Sequence, residues 1–279
     1  MDQDLAERLV GTELKDSLFP QLPDARHPTH FSSCSAPIAS QGRVYTGIGD
    51  TVLISDLRRI LVFGAHPDDE IAGPGGTIAE FSSRGVDVRV VTFTAGATGY
   101  ARKELKEGLA AKRLQESAAS DRLLGVRLHT NLGKPSQGIQ NDKDTYLQCV
   151  AVIRKAKPDA IFSHFHQDKH RDHRAVSRVV DEARWMAGED DLRELGSPWQ
   201  TQSLYYYETT ELFANPSLLI DISRTFDRKL QAMKANASQL EVVPGVLDYL
   251  TGLAMVRGQQ RGCRYAEAFL DSTFESSRC

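Results

Sequence analysis

Arg58-Arg59-Ile60-Leu61-Val62-Phe63-Gly64-Ala65 runs straight into His66-Pro67-Asp68-Asp69-Glu70. The first eight residues form a short, nearly continuous apolar run, the pattern of a strand buried on both faces. The next five interrupt it with an imidazole, a rigid proline and three carboxylates. Function collects at the carboxyl edge of a parallel sheet, where buried strands end.

Working outward, strand and helix patterns alternate. Residues 76–84 carry Ile78, Ala79 and Phe81 at near-helical spacing, with Gly85 placed to end the helix. VDVRVVTFT (86–94) reads as a second strand. A helical stretch over 103–124 ends at Gly125, and another over 142–156 is stopped by Pro158. DAIFSH (159–164) reads as a third strand, followed by a helix over 173–186. SLYYYET (203–209) and SLLIDIS (217–223) look like two more strands, and 226–256 is mostly helical with a break near Pro244. Parallel neighbours need crossovers, so this alternation predicts a Rossmann-like α/β fold, mostly parallel, with helices on both faces.

Residues 1–57 read differently. An acidic amphipathic start precedes a Pro- and Ser-containing stretch over 19–41 and the strand-like RVYTGIGDTVLI (43–54). The expected organisation is an N-terminal extension over 1–57, packed on a main domain over 58–279.

Composition narrows the partners. Of 279 residues, 41% are hydrophobic and 25% charged, ordinary globular usage. A net charge of −3 offers no general reason to bind nucleic acid or an anionic membrane. No apolar run approaches the roughly 20 residues of a membrane span, and the start lacks the pattern of a signal peptide. Cys34, Cys149, Cys263 and Cys279 form no C-x-x-C pair, as expected for free thiols in the cytoplasm.

The predicted third strand runs into a second cluster, His164-Phe165-His166-Gln167-Asp168-Lys169-His170-Arg171-Asp172-His173. Together the two clusters hold five of the eight histidines. A borderline cation such as zinc favours imidazole and carboxylate ligands, and a catalytic site supplies three and leaves a position for water. A carboxylate outside the ligand set then takes the proton of that water. His170 and His173 are three apart at a helix start and so share a face. Only one of them need be a ligand; the other would polarise a carbonyl or donate to a leaving amine. Either cluster alone is as readily a solvated loop or an acidic helix start. Two at the ends of parallel strands point to a metal site.

Ala65-His66-Pro67-Asp68-Asp69-Glu70 with Gly73-Pro74-Gly75-Gly76-Thr77 resembles the signature of the zinc-dependent de-N-acetylases of LmbE and PIG-L type. His170-Arg171-Asp172-His173 resembles that family's H-x-D-H motif, and Thr94-Ala95-Gly96, Arg113-Leu114-Gln115-Glu116 and Arg264–Phe269 are similar to further family segments. The resemblance spans residues 60–270. It implies one zinc ion per chain on His66, Asp69 and His173, with Asp68 as general base. It also implies His170 as the group that polarises the amide carbonyl or acts as acid, and Arg113 close to the substrate. Asp172 would orient a ligating histidine or serve only as a helix-start acid.

Two residues depart from the family pattern, and two further segments stand beside it. Arg171 stands where many relatives have proline, and Lys134 where they often carry an acid that binds sugar hydroxyls. His164, His166 and Asp168 lie before the ligand histidine, as loop polar groups or as sugar contacts. Gly73-Pro74-Gly75-Gly76 is not G-x-G-x-x-G, so a tight turn explains it better than a dinucleotide. The resemblance implies hydrolysis of the N-acetyl group of an N-acetylglucosamine-type sugar in a small soluble conjugate. An antibiotic or other secondary-metabolite intermediate is the leading substrate; a thiol-precursor conjugate or chitobiose is the alternative. The small conjugate is then the expected partner, with no nucleic acid or membrane, and a homo-oligomer fits the family. The rival classes are a catalytically idle metal-binding interaction subunit and a nucleotide-dependent oxidoreductase.

Overall fold

The computed structural model describes residues 56–272. The expected extension and its strand-like segment therefore lie outside the described residues, apart from Asp56 and Leu57. The apolar run quoted first becomes β1 (Arg59–Gly64), buried from Ile60 onward. It pairs in parallel with β2 (Asp87–Thr94) on one side and β4 (Ala160–His164) on the other. With β3 (Leu128–Lys134), β5 (Ser203–Tyr207), β6 (Leu218–Asp221) and β7 (Ala266–Asp271), the sheet order is β3-β2-β1-β4-β5-β7-β6. The first five strands are parallel, while β7 is antiparallel to both β5 and β6. The mostly parallel α/β architecture expected from the sequence is the one observed.

The chain leaves β1 toward β2 and β3 on one side, and β4 and β5 build the other. Strand order thus reverses between β1 and β4, and a crevice forms outside the carboxyl ends at such a switch point. The register Ile60↔Ala160, Leu61↔Ile161, Val62↔Phe162 sets both strand ends at the same level. Both polar clusters therefore leave the sheet side by side.

Between the strands lie α1 (Asp69–Ala72), α2 (Gly75–Ser83), α3 (Leu109–Leu124), α4 (Lys143–Ala156) and α5 (Arg171–Gly188). They are followed by α6 (Phe226–Ala235), α7 (Ala237–Leu240) and α8 (Val246–Arg261). The stretch expected as one helix over 103–124 is instead a 3-10 turn over 103–105 and then α3, parted at Gly108. Gly108 takes φ 73°, which no right-handed helix can run through. In α4, the Asp142 side chain accepts from Thr145 N at 2.8 Å and caps the helix.

Two strands escaped the sequence reading. β3 lies at a sheet edge and is half-exposed throughout, so LHTNLGK carries no apolar run. β7 contains Glu267, a charge within a buried strand. Its role explains its place. Glu267 accepts from Gly76 N at 2.8 Å and Thr77 N at 2.7 Å, at the start of α2. Lys229 Nζ bonds Glu267 at 2.6 Å and the carbonyls of Ala72 and Gly73, each at 2.9 Å. The Gly73–Gly76 turn is thus clamped from both ends. A Cβ on Gly76 would sit 2.6 Å from Ile222 Cδ1, so the glycines serve close packing rather than phosphate binding.

Ile60, Val62, Phe81, Val90, Phe162, Tyr205 and Phe269 belong to one buried cluster around the sheet. Phe162 and Phe269 meet edge to face at 5.2 Å. Fully burying such a side chain stabilises by about 1.5–3 kcal/mol.

Candidate active site

At the end of β1 the chain turns sharply. Asp68 takes φ 108°, a left-handed conformation that costs a non-glycine residue on the order of 1–3 kcal/mol. The turn is held by Ile71 N and Ala72 N, which donate to Asp68 O at 3.0 and 2.8 Å. Asp69 Oδ2 accepts from His66 N at 2.7 Å and lies 3.3 Å from His66 Nδ1. Its other oxygen, Oδ1, lies 3.3 Å from His173 Nε2.

These spacings test the fit of a metal. Zinc bonds of roughly 2.0–2.1 Å in a tetrahedron set neighbouring donor atoms about 3.3 Å apart. The outer nitrogens are held as ligating histidines require. His66 Nε2 lies 3.1 Å from Asp172 Oδ2, and His173 Nδ1 lies 3.1 Å from Asp168 Oδ1. Asp172 accepts in turn from Gln137 N at 2.6 Å, and Asp168 from His170 N at 2.7 Å and the hydroxyls of Thr209 and Thr210 at 2.9 and 2.7 Å. Two overlapping groups have ligand atoms within 4.8 Å: His66, His170, His173 and Asp69, His164, His173. The donor set fits a divalent cation.

The charge balance points the same way. Burial alone would lower His66 and His173, but neighbouring carboxylates outweigh it and hold them up at about 9 and about 10. Asp69 is buried too, yet His173 and His164 keep it well below the usual carboxylate range. Protons thus sit on nitrogens that a cation would take, and metal binding would release them.

Arg113 is buried against Asp68. Its Nη2 lies 3.0 Å from Asp68 Oδ1 and also donates to Pro67 O, while Nη1 donates to Gly96 O at 3.1 Å. Any side chain at Gly96, which takes φ 66°, would collide with that guanidinium. The Thr94-Ala95-Gly96 segment therefore makes room for Arg113. Burial raises Asp68 to about 6 against the pull of Arg113. Such a carboxylate titrates near neutrality, as a general base does.

His170 caps α5, its Nδ1 accepting from Asp172 N at 3.2 Å. The proton of the neutral ring is therefore on Nε2. Burial and the nearby His173 lower His170, which favours that neutral form.

Other expected residues are placed differently. His164 ends β4, as the DAIFSH strand reading places it, and is fully buried rather than a sugar contact. Its ring stacks on His173 at 3.8 Å, and its Nε2 lies 3.1 Å from both Ala65 N and Asp69 Oδ2. Asp168 is buried on His173. Neither is in position to touch a sugar. His166 packs edge-on against Tyr206 at 5.5 Å. Lys134 is tied to Asp144 at 2.7 Å.

Some supporting residues gave no signal in sequence. Arg257 and Glu208 form a buried pair, and Glu208 accepts from Phe213 N at 2.6 Å while Arg257 donates to Phe213 O at 2.7 Å. They brace the loop carrying Thr209 and Thr210, and through it Asp168.

The family described as PIG-L, GlcNAc-PI de-N-acetylase, matches residues 61–184, from β1 into α5. Diacetylchitobiose deacetylase of Thermococcus kodakarensis is 30% identical over 76% of this chain and 82% of its own. The 1D-myo-inositol 2-acetamido-2-deoxy-alpha-D-glucopyranoside deacetylase of Streptomyces avermitilis is 28% identical over 68% and 74%. Among solved structures, N,N'-diacetylchitobiose deacetylase of Pyrococcus horikoshii has a TM-score of 0.71 at 28% identity, covering 78% of this chain and 85% of its own. The 4-carboxy-2-hydroxymuconate hydratase of Pseudomonas putida also reaches 0.71, at 23% identity over 80% and 99%. At that identity the hydratase shares the fold alone, so the reaction must be argued from the site. The chain belongs to the PIG-L family of de-N-acetylases, hydrolases that cleave a linear amide.

Proposed function

We propose that the chain removes the N-acetyl group from an N-acetylglucosamine-type sugar in a small soluble conjugate, with one zinc ion on His66, Asp69 and His173. The observation that carries this reading is the contact of Asp69 with both histidines at 3.3 Å, beside a separate half-buried carboxylate, Asp68. A divalent cation there supplies Lewis acidity, polarising a carbonyl and acidifying water.

The chain's own residues do the rest. Arg113 anchors Asp68 Oδ1, which leaves Oδ2 to take the proton of the attacking water and later return it to the departing amine. His170 Nε2–H is the donor to the oxygen on which charge develops, preorganised by the Nδ1 bond to the α5 backbone. Asp172 and Asp168 orient the two histidines from outside. Arg113, with its Nη atoms committed to Asp68, Pro67 and Gly96, acts here as a positioning residue for the base rather than a substrate contact.

An antibiotic or secondary-metabolite intermediate stays the leading substrate, with a thiol-precursor conjugate or chitobiose as the alternative. The names of the relatives lend support to the alternative. A cytoplasmic setting is supported by the free thiols of Cys149 and Cys263. Among the described residues no helix is long and apolar enough to cross a membrane.

The test is amine release from a panel of these N-acetylglucosaminyl conjugates, comparing chelator-stripped with zinc-restored protein. Release that needs the metal and vanishes in Asp68→Asn, with metal content unchanged, is the expected result. Stoichiometric metal without amine from any conjugate would overturn the reading.

A further inference from the structure

We propose a second divalent-cation site, built by Glu70 of α1, Asp121 of α3 and His129 of β3, separate from the His66–Asp69–His173 group. Each residue offers one ligand atom, and these atoms lie within 4.8 Å of one another. None of the three is a residue assigned to the deacetylation site.

Glu70 is the observation that asks for a ligand. Its side chain is fully buried, and Oε2 accepts from Asp68 N at 3.1 Å. Its Oε1 has no hydrogen-bond partner among the described residues. Buried carboxylate oxygens are costly to leave unmatched. Among the described residues no lysine or arginine pairs with Glu70 or Asp121, whose only ion-pair partner is His129 at 3.0 Å. In the deprotonated forms that a metal requires, the two carboxylates and the imidazole carry two negative charges, which one divalent ion would balance.

The surroundings suit a coordinated imidazole. His129 Nδ1 faces Asp121, with Ser117 Oγ at 3.3 Å, and Nε2 lies 3.1 Å from Thr92 Oγ1. Thr92 Oγ1 is in turn held by Asn131 Nδ2 at 2.9 Å. One ring nitrogen is therefore turned to the cluster and the other fixed by an outer partner, as metal-ligating histidines require. The Asp121 and His129 side chains keep 16% and 14% exposure, an entry path for the ion. Two oxygen ligands and one imidazole suit a first-row divalent ion of the zinc or manganese class. Because Glu70 also holds Asp68 N, an ion here would brace the turn that carries the base and Asp69.

The test counts Zn2+ on chelator-stripped, reloaded protein by native mass spectrometry and elemental analysis. Two ions per chain are expected. Asp121→Asn and His129→Gln should each lose one equivalent, and the His66→Ala/His173→Ala double variant should keep one. In that double variant Zn2+ should still raise the Tm, and adding His129→Gln should abolish the rise. A single ion that is lost in the double variant and retained in His129→Gln overturns the proposal. So does a second equivalent indifferent to both Asp121→Asn and His129→Gln, which is nonspecific. A single ion retained in the double variant but lost in His129→Gln supports this site and sinks the zinc assignment above. Should Asp121→Asn and His129→Gln fail to fold, the double variant decides: one equivalent supports the site and none overturns it.

Discussion

Arg113 Nη2 lies 3.0 Å from Asp68 Oδ1, and the guanidinium is almost fully buried in making that contact. The pair sits one residue from Asp69, whose carboxylate meets three histidines. Two adjacent aspartates thus have opposite surroundings. Asp69 is ringed by imidazoles that keep it ionised, while Asp68 is pushed up by burial and held back chiefly by Arg113. Environments that push apart the pKa values of neighbouring carboxylates are how one site divides acid and base roles.

Replacing Arg113 by Met removes the charge that restrains Asp68, whose pKa then climbs above about 6. As the proposed base, Asp68 acts only when deprotonated, so the acid limb of the kcat/KM profile moves to higher pH. Activity at pH 6 should fall about fivefold for the first unit of that rise and about tenfold for each further unit. An unmoved acid limb would show that Arg113 does not tune the base.

The outer carboxylates are expected to act on metal affinity. Asp172→Asn and Asp168→Asn each replace the charged acceptor that orients a histidine, at 3.1 Å in both cases, by a neutral amide. Zinc affinity should weaken by about 10–100-fold, read by competition with a chromophoric chelator. Asp168→Asn should also loosen the Thr209–Thr210 loop it anchors.

Lys229 and Glu267 form a buried pair that clamps the Gly73–Gly76 turn. Removing one partner strands a buried charge, so Lys229→Met or Glu267→Gln alone should cost about 3–5 kcal/mol of stability. The double variant should cost less than the sum of the two. Urea unfolding of the three variants measures this, and simple additivity would deny the coupling.

Asp142 caps α4, and the bond from Thr145 N holds its carboxyl below the ordinary 3.8. A depressed folded-state value contributes stability above the unfolded pKa and loses it as pH falls through the folded one. Asp142→Ala should therefore cost about 0.5–2 kcal/mol at pH 7. The gap between the proteins should narrow as the pH drops below about 4. Thermal melts at pH 7 and pH 3 give the comparison.

How far the site could be read from sequence follows from how local its signals are. His66, Asp68 and Asp69 lie together in one turn, and His170 and His173 in another, so each half was legible. Asp172 was singled out without a partner, because the histidine it meets is 106 residues away. Asp168 stands in a polar stretch that gives no sign of burial, and His164, at the end of an apolar run, gives no sign of its partner. Their burial comes from Thr209, Thr210 and Asp69, brought in by other strands.

The apolar runs of β1, β2 and β4, and the polar clusters that end β1 and β4, were decided by the chain itself. Burial on both faces needs continuous hydrophobicity, and that pattern is local. So were the parallel sheet and the chemistry of the donors, which depend on alternation and on residue type. Three-dimensional packing alone decided the rest. It placed β1 beside β4, so that two segments about a hundred residues apart meet over Asp69. It recruited Glu267 and Lys229 to clamp a turn distant in sequence, and it spent Arg113 on Asp68. Hydrogen bonds and ion pairs between remote side chains leave no periodicity in the sequence, because each depends on a distance that only the folded chain defines.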